Sequence, residues 1–139
     1  MKDKTFIDTN VLVYANDRSE NVKHDRAKQI LVEGIENGNI VLSTQVLCEF
    51  FVTVTRKIKV RLPENTAKEE ILLLRAVEIV EIDFKLVIQA IDISNKIGLS
   101  YWDSLIAAAA TKARCNVLYS EDLNHGQSID SVTVVNPFK

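Results

Sequence analysis

Residues 5–14 read Thr5-Phe6-Ile7-Asp8-Thr9-Asn10-Val11-Leu12-Val13-Tyr14 (TFIDTNVLVY). Two large apolar residues run straight into Asp8, and an apolar quartet resumes after the polar triplet. The stretch predicts a short strand over residues 5–7, a turn, and then one or two turns of helix. Asp8, Thr9 or Asn10 could each cap that helix. A strand that passes directly into a helix is the opening unit of an alternating β–α chain.

The rest of the chain continues the alternation. Residues 22–35 carry Ala27, Ile30, Leu31 and Ile35 at helical spacing, and Asn37-Gly38-Asn39 stops them. Residues 40–42 form a short buried strand. Ser43-Thr44 then caps a helix with Val46, Leu47, Phe50, Phe51, Val54 and Ile58 on its apolar side. Pro63 marks a boundary. Thr66 with Glu69 reads as a capping box before a helix over residues 71–77. Residues 79–82 read as a strand and residues 86–97 as a helix, closed by Gly98-Leu99 in a Schellman pattern. Ser100 starts a helix over residues 101–114. Residues 117–119 and 132–135 are the last strands. The expected class is α/β, a sandwich with a mostly parallel central sheet.

The 139 residues, 47% hydrophobic and 26% charged, fit one ordinary globular domain over residues 1–139. A chain of this size buries about two-thirds of its unfolded surface, so it needs no disulfide or metal to fold. Cys48 and Cys115 form no CxxC and read as buried free thiols of a reducing compartment. No apolar run reaches membrane-spanning length and residues 1–4 do not open a signal peptide, so a cytoplasmic location is expected. A net charge of −2 and a pI near 5.7 exclude a generally basic nucleic-acid binder. Contact with nucleic acid would need a local basic patch or a metal ion.

The 19 acids are scattered, so their place in the architecture is what matters. Ligands of open parallel sheets bind beyond the carboxyl ends of the strands. Asp8 directly follows the first strand, and Asp122 lies just past the strand ending at Tyr119. Asp103 lies in the first turn of its helix, and Glu49 in the second turn of its own. Each has an ordinary structural reading: helix cap, turn residue, or solvated surface acid. Ser100 and Asp103 could form a cap pair, and Glu49 lies off the apolar stripe of its helix. Together the four would repel one another, by about 4 kcal/mol per pair at 4 Å and an effective dielectric of 20. Such a cluster raises its pKa values or holds a cation. Oxygen donors without His or Cys favour a hard ion, Mg²⁺ or Mn²⁺.

Several stretches carry a wider resemblance: FIDTNVLVY (residues 6–14), CEFFVTVTRK (48–57), LSYWDSLIAAAA (99–110), LYSEDLNHGQ (118–127) and VTVVNPF (132–138). In this order and spacing the chain resembles the PIN-domain family, in particular the VapC-like toxins of toxin–antitoxin pairs. The resemblance implies a three-layer α/β/α sandwich and hydrolysis of RNA phosphodiester bonds with one or two Mg²⁺ or Mn²⁺ ions. It places the four family acids on Asp8, Glu49, Asp103 and Asp122, with Asn10 and Ser120 as polar helpers. Thr9 is assigned to the turn, and Glu121 is a neighbouring rival to Asp122. Asp8 and Asp103 are the implied direct ligands. The resemblance also implies a small antitoxin partner and a homodimer.

Arg56, Lys57, Lys59 and Arg61 place four cations in six residues. They read either as a solvated helix end or as a phosphate-contacting patch. Trp102, Leu105, Ile106 and Ala107 to Ala110 read as core, as do Phe50, Phe51 and Val54, the last three partly as a dimer face. His24 and His125 are not expected to act in catalysis. The competing functions are three. A haloacid dehalogenase-type phosphatase would want a second acid at position 10, where Asn10 stands. A receiver domain would want an acid pair after the first strand. A non-enzymatic binding module would use the acids to hold a structural ion or a partner's arginine.

Overall fold

A computed structural model describes residues 3–139. Six strands form one sheet: β1 (Thr5–Ile7), β2 (Ile40–Ser43), β3 (Glu78–Val80), β4 (Val117–Tyr119), β5 (Ser128–Ile129) and β6 (Val132–Val135). Their order is β3-β2-β1-β4-β6-β5. All neighbours are parallel except β5 and β6. The helices are α1 (Thr9–Tyr14), α2 (Asn21–Asn37), α3 (Thr44–Arg56), α4 (Glu64–Leu74), α5 (Phe84–Ile97) and α6 (Tyr101–Lys112). α1 packs on α2 and α3, and α3 on α4, while α5 packs on α6. The result is an α/β/α sandwich around a mostly parallel sheet, as the sequence predicts.

The local reasons are mostly those the sequence suggests. The Ser43 side chain accepts the Val46 N–H at 3.3 Å and starts α3; Asp83 does the same for α5 through the Leu86 N–H at 2.9 Å. Gly38 ends α2 at φ +68°, a left-handed conformation that glycine adopts without strain. The core gathers Phe6, Ile7, Val41, Leu42, Leu118 and Val134 from the strands, with Val46, Phe50, Val54, Leu86 and Ile106 from the helices. Residues 104–110 of α6 are all buried, and its four alanines allow that close approach.

Several expectations are corrected. The Thr66–Glu69 capping box does not form: α4 begins at Glu64 behind Pro63, with no side-chain cap, and ends at Leu74. Pro63 holds the extended backbone that precedes a helix, so the boundary falls there and Thr66 lies inside. β3 is shifted to Glu78–Val80, and the two-residue β5 was not foreseen. α5 closes on Gly98 with the single bond from its N–H to the Ser94 carbonyl at 2.9 Å. That is the simpler left-handed cap in place of the Schellman pattern. Cys115 is buried, and burial pushes its thiol up to about 12, but Cys48 is exposed on α3. Trp102 is 62% exposed and stands outside the core. Ile35 is exposed too; the inner face of α2 is made by Ala27, Ile30 and Gly34. No helix among the described residues is long and apolar enough to cross a membrane.

Candidate active site

From β1 the chain winds out to β2 and β3 on one side, while β4 lies on the other. The carboxyl ends of β1 and β4 therefore flank a topological switch point, where a parallel sheet opens a crevice. Asp8 leaves β1 there, and its N–H donates to the Tyr119 carbonyl of β4 at 3.0 Å. Ser120 leaves β4 beside it. These two elements bring residues 8 and 120 together across the length of the chain.

Asp8 is 4% exposed. Its Oδ1 accepts the Thr9 N–H at 2.7 Å and its Oδ2 accepts the Ser120 hydroxyl at 2.7 Å. Burial pushes its carboxyl up to about 6; the two hydrogen bonds oppose this, and the charges of Asp122 and Glu49 add to it. Asp122 and Glu49 thus act electrostatically on Asp8. The Asp8 cap on α1, read from sequence as an ordinary alternative, is present at the same time.

Glu49 is held on both oxygens. The Thr9 hydroxyl donates to Oε1 at 2.6 Å, and Gln45 Nε2 donates to Oε2 at 3.4 Å. α1 packs on α3, which is why a residue off the apolar stripe of α3 faces the site instead of open solvent. Asp122 is exposed, takes Asn10 Nδ2 on its Oδ2 at 3.1 Å, and has its N–H bound by the Ser120 hydroxyl at 3.1 Å. Asn10 also accepts the Glu121 N–H at 3.2 Å. Its amide is thereby spent on holding the loop, a role unlike the acid–base work a phosphatase would need at that position. Glu121 points elsewhere: Lys23 Nζ lies 2.6 Å from its Oε2 and the Tyr14 hydroxyl donates to its Oε1 at 2.7 Å. Burial raises its pKa, but those two partners outweigh it and the net shift is downward.

Asp103 is linked less directly. Its backbone N–H donates to Ser100 Oγ at 3.2 Å in the first turn of α6, the cap pair foreseen as an alternative. Gln45 bridges to that turn, since its Nε2 also donates to the Trp102 carbonyl at 3.1 Å. Gln45 was not singled out by sequence; it is 6% exposed, and its Oε1 is buried without a partner. Thr9 is a second omission, as it was assigned to the turn alone. The side chains engage their supports more than a common point. Among the described residues no three His, Cys, Asp or Glu side chains lie close enough to hold a metal ion. The donor chemistry itself suits a hard cation: oxygen only, with one carboxylate disfavoured as an anion.

Beside the acids runs an open groove of about 600 Å³, walled by Glu49 and Asp122, by Val13 and Ile58, and by Lys57 and Lys59. The predicted cation run is therefore divided, because Arg56 and Arg61 do not line the groove. His24 Nδ1 pairs with the Tyr14 carbonyl at 2.9 Å, and His125 Nδ1 accepts the Asn136 N–H at 3.0 Å. Both histidines thus serve the backbone.

The PIN domain family profile matches residues 5–127. Among solved structures, a VapC toxin from Mycobacterium tuberculosis that cleaves the sarcin–ricin loop is similar, with a TM-score of 0.70 and 20% identity, over 86% of this chain and 90% of that one. A toxin–antitoxin complex from Klebsiella pneumoniae has a TM-score of 0.68 and 20% identity, over 96% and 98%. A VapBC complex from Rickettsia felis, bound to a DNA fragment from its promoter, has a TM-score of 0.65 and 18% identity, over 94% and 96%. A search of the curated proteins by sequence returns no match.

Proposed function

Because this chain belongs to the PIN-domain family, we propose that it is a metal-dependent endoribonuclease, the toxin of a toxin–antitoxin pair. The observation that supports this reading is the buried Asp8 at the switch point, whose carboxyl feels the charges of Asp122 and Glu49, beside a groove with Lys57 and Lys59 on its wall. An acidic crevice with a cationic margin is what an anionic backbone needs if its scissile phosphate is to be neutralised locally.

Asp8, Glu49, Asp103 and Asp122 would hold one or two Mg²⁺ or Mn²⁺ ions, with Asn10 and Ser120 in support. Such an ion supplies an activated water and charge stabilisation at phosphorus. The chain's own part is orientation. Thr9 and Gln45 fix the Glu49 carboxylate, Ser120 fixes Asp8, and Asn10 fixes Asp122. Lys57 and Lys59 would take neighbouring phosphates, with Arg56 and Arg61 farther out. No covalent nucleophile is required.

Asp8→Asn and Asp103→Asn should each abolish Mg²⁺- or Mn²⁺-dependent cleavage of RNA by the purified protein while leaving its circular dichroism unchanged. Full activity in either variant sinks the proposal. The solved relatives include complexes with antitoxins, and we extend to this chain a small antitoxin partner, a homodimer and a cytoplasmic setting. Phe84, Ile88 and Ile91 on α5 and Leu72 and Leu73 on α4 are exposed apolar residues suited to protein contacts.

A further inference from the structure

Lys23 stands in the first turn of α2, outside every motif of the site, yet its ammonium reaches the loop that carries Asp122. Its Nζ lies 2.6 Å from Glu121 Oε2 and 3.3 Å from the Tyr14 hydroxyl, which itself donates to Glu121 Oε1 at 2.7 Å. The same Nζ lies 4.9 Å from the Tyr14 ring centroid and 5.9 Å from that of Phe138. The two rings meet edge to face at 5.1 Å. Residues 14, 121 and 138 thus close on the Lys23 ammonium, and both oxygens of Glu121 are occupied.

An exposed ion pair between two long side chains contributes little. This one is half-buried and shared with a phenol and two aromatic faces, which restrict the ammonium to one place. Its effect falls on a loop with two adjacent acids. Asn10 and Ser120 hold the backbone N–H groups of Glu121 and Asp122 from the site side. Lys23 and Tyr14 hold the Glu121 side chain. The loop is therefore held both by its backbone and by the Glu121 side chain, and Asp122 lines the groove while Glu121 does not.

We propose that Lys23 is a positioning residue: by holding Glu121 against Tyr14, it fixes residues 120–122 so that Asp122, and not Glu121, faces the crevice. The inference rests on the nuclease reading for its catalytic consequence only. Without Lys23, Glu121 loses its cation and the loop loses its side-chain anchor, so Asp122 is presented in only a fraction of molecules. A group acting this way changes turnover more than substrate affinity.

The test uses the full chain with Lys23→Met, Lys23→Arg, Glu121→Gln and the double variant Lys23→Met/Glu121→Gln. Two readouts are followed: steady-state cleavage of an RNA with Mn²⁺, and native-state amide exchange without metal. Lys23→Met should lower kcat about tenfold with KM within about twofold, and speed exchange of the Glu121 and Asp122 amides about tenfold while β1 and β4 stay protected. Lys23→Arg should restore most of both. Glu121→Gln, which keeps the shape of the side chain, gives the same two readouts independently if Lys23→Met folds poorly. The double variant should be no worse than the poorer single one, because both remove one interaction. Unchanged exchange at residues 121 and 122 overturns the proposal, as does a multiplicative loss in the double variant. A salt-sensitive rise in KM alone also overturns it, since that marks Lys23 as a direct phosphate contact. If the wild-type protein cleaves no RNA, the nuclease reading fails, while amide exchange still decides whether Lys23 clamps the loop.

Discussion

Asp8 is asked to be an anion in a place that resists one. Its carboxyl is buried, has two other acids near it, and titrates at about 6 against an ordinary value of 3.8. Between those values the folded protein binds a proton that the unfolded chain has already lost. Stability therefore falls as pH rises through about 4 to 6, and the loss is complete above that window. Two pKa units correspond to about 3 kcal/mol. Glu121, shifted downward, works in the opposite direction at the acid end, so the Asp8 contribution is read as a difference between variants. In metal-free urea titrations, Asp8→Asn should exceed the wild type in stability at pH 7.5 by more than at pH 4.5. A constant difference at the two pH values would remove Asp8 as the cause. At this scale the sequence reveals Asp8 through its place after a strand. It does not reveal the supports, because Thr9 and Gln45 look like any turn and helix polar residues until α1 packs on α3 and Gln45 meets the first turn of α6.

At the scale of elements, Gly34 shows how closely α2 lies on the sheet. A Cβ at this position would run into the side chain of Ile40 at the start of β2. Replacing glycine by alanine in a helix gains about 1 kcal/mol of propensity, while overpacking costs about 1–3 kcal/mol. Ile40 is buried and has little room to withdraw, so Gly34→Ala should destabilise by roughly 1–2 kcal/mol. In an Ile40→Ala background the obstacle is gone, and the same change should be neutral or stabilising. An equal loss in both backgrounds would show that the contact is not the reason. The elements most readable in sequence are those with a local cause: β1, β2, β4 and β6 from their apolar runs, α3 and α6 from their capping serines. The misread ones lack a strong pattern of their own. β3 is placed by a distant partner, the edge of β2, while β5 is only two residues of a tight hairpin with β6, Ile129 opposite Val132. The sequence reads Trp102 as core because α6 is apolar nearly all round, but Trp102 stands in the first turn, ahead of the buried stretch of residues 104–110.

At the scale of the whole molecule, charge is the quantity that decides how a polyanion approaches. The net charge of −2 gives no long-range attraction, so binding must come from local fields. The cation run at the end of α3 was visible in sequence, but its division was not, since only the fold shows which of its side chains turn toward the crevice. Lys57 and Lys59 line the groove with Glu49 and Asp122, while Arg56 and Arg61 do not. Each phosphate neutralised by a cation contributes about 0.7 to the salt slope of single-stranded binding. Neutralising both lysines should therefore flatten the slope of log affinity against log salt by about 1.4, whereas neutralising both arginines should change it by less than half as much. Fluorescence anisotropy of a labelled single-stranded RNA, on the Asp8→Asn background so that the strand stays intact, measures both slopes. Equal flattening by the two pairs would mean that the run acts as a diffuse basic surface, and that the groove does not define the path of the backbone.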